Sequence, residues 1–276
     1  MPHPRSVRRR AVTAAAALLA LLLPTAAHAI TNGRPTTAFT HVGSFVVEIP
    51  AADGGTDLLQ LCTGTVVSPR VVLTASHCME RSEYPADWGE VYFTLEQRIG
   101  DGTSWTLLDD LDLLTGSLAP DPRYAGAPHY GYDVGAFVLD EPVSGPFARL
   151  AGVGFLDRKS LRGTLFEVVG YGIERYDKAG STQAFLPPTQ RMLAVQPLTA
   201  VNKQYAYFSM SIARGHGGTC YGDSGGPHLN AAGEVVAVTT TGDIPCKASD
   251  QATRADTRVA HAFIADVISR PDAYAD

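Results

Sequence analysis

The amino-acid sequence predicts an all-β protein with a single α-helix near its C-terminal end. Glycine (27) and proline (18) are spread along the 276 residues, which favours many short strands joined by turns. Runs of β-branched and aromatic residues recur between these turn residues. One helical pattern is present, close to the end of the chain. The chain is 45% hydrophobic and is long enough for one large domain or two small ones.

Nine segments have the composition of β-strands, five in the first half of the chain and four in the second. They are 41–49, 59–68, 71–76, 90–99 and 134–140, then 165–173, 190–198, 205–213 and 234–241. Segment 140–154 separates the two groups and is the expected crossing between two units. We therefore expect two β-barrels or sandwiches of about 110–120 residues each, because barrels leave no exposed strand edges.

The predicted helix lies at the end of the chain, in "VAHAFIADVISR". Val259, Phe263, Val267 and Ile268 recur at helical spacing, which indicates one buried face. Pro271 follows and cannot continue a helix, so we expect the helix to stop before it.

Residues 1–29 have the pattern of a secretory signal peptide. Arginines precede the uninterrupted apolar run 11–23, and Ala27-His28-Ala29 has small residues at the positions that signal peptidase reads. A membrane anchor is the alternative, but the 13-residue run is shorter than the roughly 20 residues that span a bilayer. We therefore predict cleavage after Ala29, secretion, and no membrane attachment of the cleaved chain.

The charge of the chain disfavours a nucleic-acid partner. Residues 1–29 hold four of the 22 Lys and Arg residues and no acid, so residues 30–276 carry 18 basic and 28 acidic side chains, a net charge of −10. A nucleic-acid binder needs a basic face to engage phosphates.

The four cysteines, Cys62, Cys78, Cys220 and Cys246, predict two disulfides, because export leads to an oxidising compartment. Three pairings are formally possible. We favour Cys62–Cys78 and Cys220–Cys246, which close short local loops. A zinc site is disfavoured, since no C-x-x-C pair and no matching histidine spacing is present.

The segment "TCYGDSGGPHL" surrounds Ser224 with glycines, which weaken regular structure. Such a turn can aim the backbone N–H groups of Gly222 and Ser224 at one point, where they would stabilise an oxyanion. A flexible glycine loop is the alternative. Because a serine hydroxyl is a poor nucleophile without a base, His77 in "LTASHC" and Asp133 in "YDVGAFVLD" are the candidate base and orienting acid.

Together, "LTASHC", "YDVGAFVLD" and "GDSGGP" resemble the three catalytic motifs of the chymotrypsin–trypsin family of serine peptidases, in the family's order. The resemblance covers residues 30 to 270. It implies two packed six-stranded antiparallel β-barrels, about 30–145 and 146–276, with a C-terminal helix. It also implies hydrolysis of peptide bonds through an acyl-enzyme, with both disulfides as favoured above, and needs no cofactor or metal.

The resemblance extends to the start of the predicted mature chain, Ile30-Thr31-Asn32-Gly33. In the family, a new terminal ammonium inserts beside the aspartate that precedes the serine. Here that aspartate is Asp223, so signal removal alone would expose the activating amine at Ile30, with no separate pro-segment. The alternative is that Asp223 only caps a local turn.

For the specificity pocket, the resemblance places Gly218 at the floor and Thr219, Thr240 and Gly242 in the walls. Cleavage after Lys or Arg is not supported, because trypsin-like members carry an aspartate at the floor. Arg254 could lie at the pocket wall or in an exposed loop. We expect a neutral or small side chain before the scissile bond.

Two alternative functions remain at this point. One is a secreted binding protein of the same fold that has lost catalysis, and the other is an esterase that uses the same three residues. The presence of all three favours an endopeptidase that acts on protein or peptide substrates, and we expect it to be a monomer.

Overall fold

The structure is a computed structural model, and it describes residues 30–126, 131–177, 183–243 and 246–275. The predicted signal peptide, 1–29, lies outside the described residues. Within them, no helix has the length and apolar character needed to cross a membrane.

The described residues form fifteen strands and one α-helix. In chain order they are β1 (Arg34–Pro35), β2 (Val42–Pro50), β3 (Thr56–Ser68), β4 (Val71–Thr74), β5 (Val91–Thr94), β6 (Gly116–Ala119), β7 (Gly135–Leu139), β8 (Leu165–Gly170), β9 (Glu174–Asp177), β10 (Gln183–Leu186), β11 (Met192–Val201), β12 (Tyr205–Ser209), β13 (Pro227–Leu229), β14 (Val235–Gly242), β15 (Ser249–Arg254) and α1 (Arg258–Ser269).

The first six-stranded sheet has the order β5-β2-β3-β4-β7-β6, with antiparallel neighbours throughout. It curls on itself, and its ends approach through an isolated bridge between Phe93 and Leu114. Phe45 packs inside the curl against Phe93 and Phe137, at ring-centroid distances of 4.9 and 5.4 Å. Strands β4 and β7 are buried throughout and are almost entirely apolar, and the first six residues of β2 are buried as well.

The second sheet closes into a barrel in the order β8-β11-β12-β15-β14-β13, because β8 pairs with both β11 and β13. β1 adds to β11, so Arg34 and Pro35 join the second sheet although the predicted division assigns them to the first. β9 and β10 form a separate hairpin. The predicted all-β fold of two packed units is therefore confirmed, as one closed barrel and one curled half-barrel.

Buried polar side chains join the two units. Arg191 is 2% exposed, and its guanidinium donates to the carbonyls of Val42 at 2.9 Å and Leu95 at 2.8 Å in the first unit. The Tyr171 hydroxyl donates to the Glu96 carbonyl at 2.7 Å. These bonds give the two units a defined relative position, which a site at their junction requires.

The C-terminal helix begins at the N-cap Thr257, whose hydroxyl accepts the Ala260 N–H at 3.1 Å. Its buried face differs from the predicted one. Phe263 and Val267 are buried as expected, together with Ala260 and Ile264. Val259 and Ile268 are each 39% exposed, because the helix packs through the positions i, i+3, i+4 and i+7 counted from residue 260.

Candidate active site

The pairing of β4 with β7 brings His77 and Asp133 together. The two strands are antiparallel, with Thr74 opposite Gly135. The residues just after β4 therefore lie beside those just before β7. His77 lies in a 3₁₀ turn, Ser76–Cys78, and the Cys62–Cys78 disulfide fastens this turn to β3.

The Asp133 carboxylate binds His77 at two points. Oδ2 lies 2.8 Å from the imidazole Nδ1, and Oδ1 accepts the backbone N–H of His77, also at 2.8 Å. Asp133 is fully buried, whereas 16% of the His77 side chain is exposed. Burial acts to lower the pKa of His77, but the charge and hydrogen bond of Asp133, helped by Glu83, raise it above the ordinary value.

A network behind this pair holds the backbone of both residues. The Ser76 hydroxyl donates to the Tyr132 carbonyl at 3.3 Å and accepts the Asp121 N–H at 2.9 Å. Tyr132 itself has a positive φ of 59°, which turns the chain sharply before Asp133. The backbone just before Asp133 is thus held by the residue that precedes His77.

The Ser224 turn is held by hydrogen bonds from both units. The Ser224 carbonyl accepts the Thr63 N–H of β3 at 2.8 Å. The Gly222 carbonyl accepts from the side chains of Gln60 at 2.8 Å and Thr63 at 2.9 Å. Gly225 donates its N–H to the Thr239 carbonyl at 2.8 Å. The turn is therefore anchored in the cleft between the two units.

Two glycines in this turn have conformations that other residues rarely adopt: φ is 92° at Gly222 and 78° at Gly225. A Cβ at either position would also collide with a neighbour, Gln60 Oε1 or Thr74 Oγ1. Within the described residues, no protein acceptor engages the backbone N–H of Gly222 or Ser224. Both donors are thus available at the cleft.

His77 and Ser224 line the same two cavities, which meet at these residues. The described residues include no hydrogen bond between the Ser224 hydroxyl and the imidazole. Such bonds are often long in unliganded enzymes and shorten when substrate binds. Because Nδ1 is engaged by Asp133, the imidazole can serve Ser224 only through Nε2.

The smaller cavity, of about 230 Å³, is rich in threonine. Thr219, Thr240 and Gly242 line it together with Thr239, Thr241 and Asp243. Gly218, the expected floor, is not in the lining: its backbone forms a bridge with Thr31, and Met210 fills the space beside its Cα. Arg254 does not line this cavity either, and it is not exposed. It is buried in an ion pair with Asp256.

The larger cavity, of about 430 Å³, shares His77 and Ser224 with the smaller one and is mainly apolar. Tyr84, Trp88 and Trp105 contribute aromatic surface to it, and Trp105 is 48% exposed. The two cavities thus differ in chemistry, hydroxyl-rich on one side and aromatic on the other.

Asp223 lies behind the serine turn and is completely buried. Its carboxylate accepts the N–H groups of Gly172 and Cys220, each at 2.8 Å. Burial raises the pKa of Asp223 to about 7, although these two N–H groups act to lower it. Ile30 is also buried, and packs with Val168, Met192 and Ala194 of the same barrel.

The disulfides are Cys62–Cys78 and Cys220–Cys246, the pairing favoured from the sequence. Cys62, His77 and Cys78 also form the one group of close potential metal ligands among the described residues. Both sulfurs are held in a disulfide, so this group does not fit a metal ion.

A second His–Asp pair, which the sequence did not reveal, lies inside the closed barrel. His228 Nε2 is 3.2 Å from Asp250 Oδ2 and 3.2 Å from the Thr239 hydroxyl, and the imidazole stacks on Phe208 at 4.2 Å. Both side chains are 0% exposed, so neither can reach a substrate. The pair supports Thr239, whose backbone binds Gly225 and Gly226 in the serine turn.

The family model for trypsin matches residues 30–264. The chain therefore belongs to the trypsin family, and it is a serine-type peptidase.

Two solved structures share its fold. HL collagenase aligns with a TM-score of 0.60 at 15% identity, over 88% of this chain and 99% of that one. A Glu endopeptidase in complex with MPD aligns with a TM-score of 0.56 at 17% identity, over 85% of this chain and 93% of that one.

Proposed function

We propose that this protein is a secreted endopeptidase that hydrolyses peptide bonds through Ser224, His77 and Asp133. The observation that carries the proposal is the 2.8 Å bond between His77 Nδ1 and the buried Asp133 carboxylate, in a residue that lines the same cavities as Ser224. Asp133 holds the tautomer in which Nδ1 carries the proton, which leaves the lone pair of Nε2 for the Ser224 hydroxyl.

The first half of the reaction forms an acyl-enzyme. His77 Nε2 takes the Ser224 proton while Oγ bonds to the substrate carbonyl carbon, and the carbonyl oxygen becomes an oxyanion. The unpaired N–H groups of Gly222 and Ser224 receive this charge. His77 then gives its proton to the leaving amine, the C–N bond breaks, and the acyl group stays on Ser224.

The second half repeats these steps with water. His77 takes a water proton, the hydroxide attacks the ester carbon, and Ser224 leaves with the proton from the imidazole. Throughout, the Asp133 carboxylate stabilises the imidazolium, consistent with the raised pKa of His77.

The cavities support a substrate with a small, uncharged side chain before the scissile bond. Among the described residues, the threonine-lined cavity of about 230 Å³ offers hydroxyls and no lysine or arginine, and its Asp243 carboxylate already accepts the N–H groups of Ala248 and Ser249. On the leaving-group side, the aromatic surface of Tyr84, Trp88 and Trp105 would suit apolar residues. A peptide-library cleavage profile measures both preferences.

Replacing Gly222 with Ala tests the oxyanion site. The new Cβ would displace the Gln60 amide that binds the Gly222 carbonyl, and φ at this position is 92°. We expect kcat to fall about 10²–10³-fold, the loss typical of a missing oxyanion donor. Gly163→Ala is the matched control, because φ there is 82° but nothing lies within 4 Å of its Cβ. Equal activity of the two variants contradicts this role.

The Ile30 amine is the proposed activator of the enzyme. In the full-length chain Ile30 has φ of 62°, an unfavourable value for a β-branched residue, and cleavage after Ala29 removes this torsion. The freed ammonium would pair with the Asp223 carboxylate, which is buried and has a raised pKa, and would lower that pKa. The pair would hold Gly222 in its donor position.

N-terminal sequencing of the secreted protein tests this activation, and we expect the chain to begin at Ile30. A version that retains Ala29 moves the amine by about 3.8 Å, so its turnover should be lower. A start well downstream, or full activity with the extra residue, excludes the proposed pair.

Fluorophosphonate labelling tests the proposed function as a whole. The cleaved protein should take up one label, which peptide mapping assigns to Ser224, and Ser224→Ala should remain unlabelled. No labelling after confirmed signal removal favours a binding protein instead. Labelling with hydrolysis of esters but not of peptides favours the esterase.

A further inference from the structure

A third cavity lies away from the active site, between residues 156–162 and the end of the β11–β12 hairpin. Its volume is about 530 Å³, and it shares no lining residue with the two active-site cavities. We call it the basic groove, because five cationic side chains line it: Arg158, Lys159, Arg162, Lys203 and Arg254. Asp157 is the single acidic residue in its lining.

This concentration of positive charge is unusual for the chain. Residues 30–276 carry a net charge of −10, yet five of their 18 basic side chains line one groove. Arg158, Lys159, Arg162 and Lys203 are all exposed, and within the described residues none of the four forms an ion pair. Like charges repel when they are gathered without counterions, so the groove is complementary to an anionic ligand.

Arg254, the fifth cationic residue of the basic groove, holds the two walls of the groove together. Arg254 is buried and binds Asp256 with two nitrogens, at 2.8 and 2.9 Å. It also binds Asp157 at 2.9 Å in one wall and the Asn202 carbonyl at 2.9 Å in the other. The Arg158 guanidinium lies 4.7 Å from the centre of the Phe155 ring. The unpaired cations therefore project from rigid walls, which lowers the entropy lost on binding.

An open strand edge runs along the groove. β8 pairs with β11 only as far as Pro197, whereas β12 pairs with β11 from Leu198 to Val201. Ala200 and Val201 line the groove and, among the described residues, have a strand neighbour on one side only, whereas Thr199 lies at a bulge in the pairing with β12. Backbone N–H and C=O groups at such an edge can pair with an extended peptide. A glycan could match the charges but has no backbone to complete the sheet.

We propose that the basic groove binds an extended acidic segment of the protein substrate and so recruits the substrate to the enzyme. The segment would pair with Ala200 and Val201 and place its carboxylates against Arg158, Arg162 and Lys203. The two guanidinium groups can each bind a carboxylate with two parallel hydrogen bonds, and the Lys203 ammonium adds a further charge-assisted contact. The proposal rests on the proposed peptidase function, because the segment belongs to the cleaved polypeptide.

Peptide binding tests the groove independently of catalysis. Fluorescence anisotropy would compare a labelled Glu/Asp-rich peptide of about ten residues with its Gln/Asn counterpart, on the secreted Ser224→Ala protein. We expect the acidic peptide to bind and its affinity to fall as salt is added. Arg158→Glu with Lys203→Glu should weaken it at least about tenfold, since two charge-assisted contacts are lost.

Arg34→Glu with Arg149→Glu is the matched control, since both arginines are exposed, lie outside the groove and give the same change in net charge. An equal loss of affinity for the acidic peptide in the two double variants overturns the proposal. Equal binding of the neutral peptide, or binding of a sulfated glycan but of neither peptide, also overturns it. N-methylation of alternate peptide nitrogens should also weaken binding, and an unchanged affinity overturns the strand pairing.

Kinetics on the active enzyme tests recruitment. For a protein substrate that carries an acidic segment, the groove variant should have a KM raised about tenfold with kcat unchanged, whereas hydrolysis of a small ester is unaffected. An unchanged KM overturns recruitment. If the unsubstituted enzyme hydrolyses neither substrate, the peptidase proposal fails, and the anisotropy result stands separately.

Discussion

Replacing Asp133 with Asn is expected to lower turnover about 10⁴-fold while the protein stays folded, a loss typical of serine-peptidase triads. The carboxylate accepts both the Nδ1 proton and the backbone N–H of His77, at 2.8 Å each. An amide can present its NH₂ group to Nδ1, which favours the tautomer with the proton on Nε2. His77 would then be unable to accept the Ser224 proton.

The pH dependence should change in a defined direction. His77 acts as a base only when neutral, so wild-type activity should fall as the pH drops through its raised pKa, above the ordinary value of 6.5. Without the Asp133 charge that pKa falls, so the acidic limb of the pH–rate profile should move to lower pH in Asp133→Asn.

Asp140→Asn is the matched control, because Asp140 follows the other end of β7 and is exposed. It should keep wild-type turnover and an unshifted acidic limb. Comparable losses in the two variants, or an Asp133→Asn enzyme with ordinary turnover, contradict the role assigned to Asp133.

Replacing Asp250 with Ala is expected to destabilise the fold by about 1–3 kcal/mol, because it removes the polar neighbour of the buried His228 imidazole. The loss is limited because neither Asp250 oxygen has a hydrogen-bond partner among the described residues. His228 and Asp250 are both 0% exposed and 3.2 Å apart. Solvent cannot enter readily to replace the lost group, since the imidazole is covered by Phe208 at 4.2 Å.

Denaturant unfolding of the disulfide-bonded protein measures this change. Asp272→Ala is the control, since Asp272 pairs with Arg70 but is 83% exposed, and exposed ion pairs contribute little. A free energy of unfolding that is unchanged in Asp250→Ala shows that the buried pair does not support the barrel.

The sequence predicted the long strands better than it predicted the short ones. The long strands β2, β3 and β11 carry runs of apolar and β-branched residues, so their pattern is clear. β6, β13 and β15 read "GSLA", "PHL" and "SDQATR", which have no such pattern, and they become strands only because neighbours pair with them.

The His228–Asp250 pair shows why the buried residues behind the serine turn could not be predicted from the sequence. His228 directly follows the GDSGGP motif, but Asp250 lies in no distinctive motif, and nothing in the sequence pairs the two residues. They meet because β13 pairs with β14 and β14 with β15 in the closed barrel. Likewise, Arg254 looked like a loop residue from its polar surroundings, but barrel closure buries it beside Asp256. Long-range pairing decides both positions.

The proposed mechanism requires His77 Nε2 to lie beside Ser224, and an NMR titration of the His77 imidazole detects this proximity. The titration would be recorded for the cleaved protein before and after Ser224 is converted to a phosphonate monoester anion. We expect the pKa of His77 to rise on modification, because a negative charge then lies beside the imidazole. A titration curve that does not move would show that the imidazole and the serine do not meet.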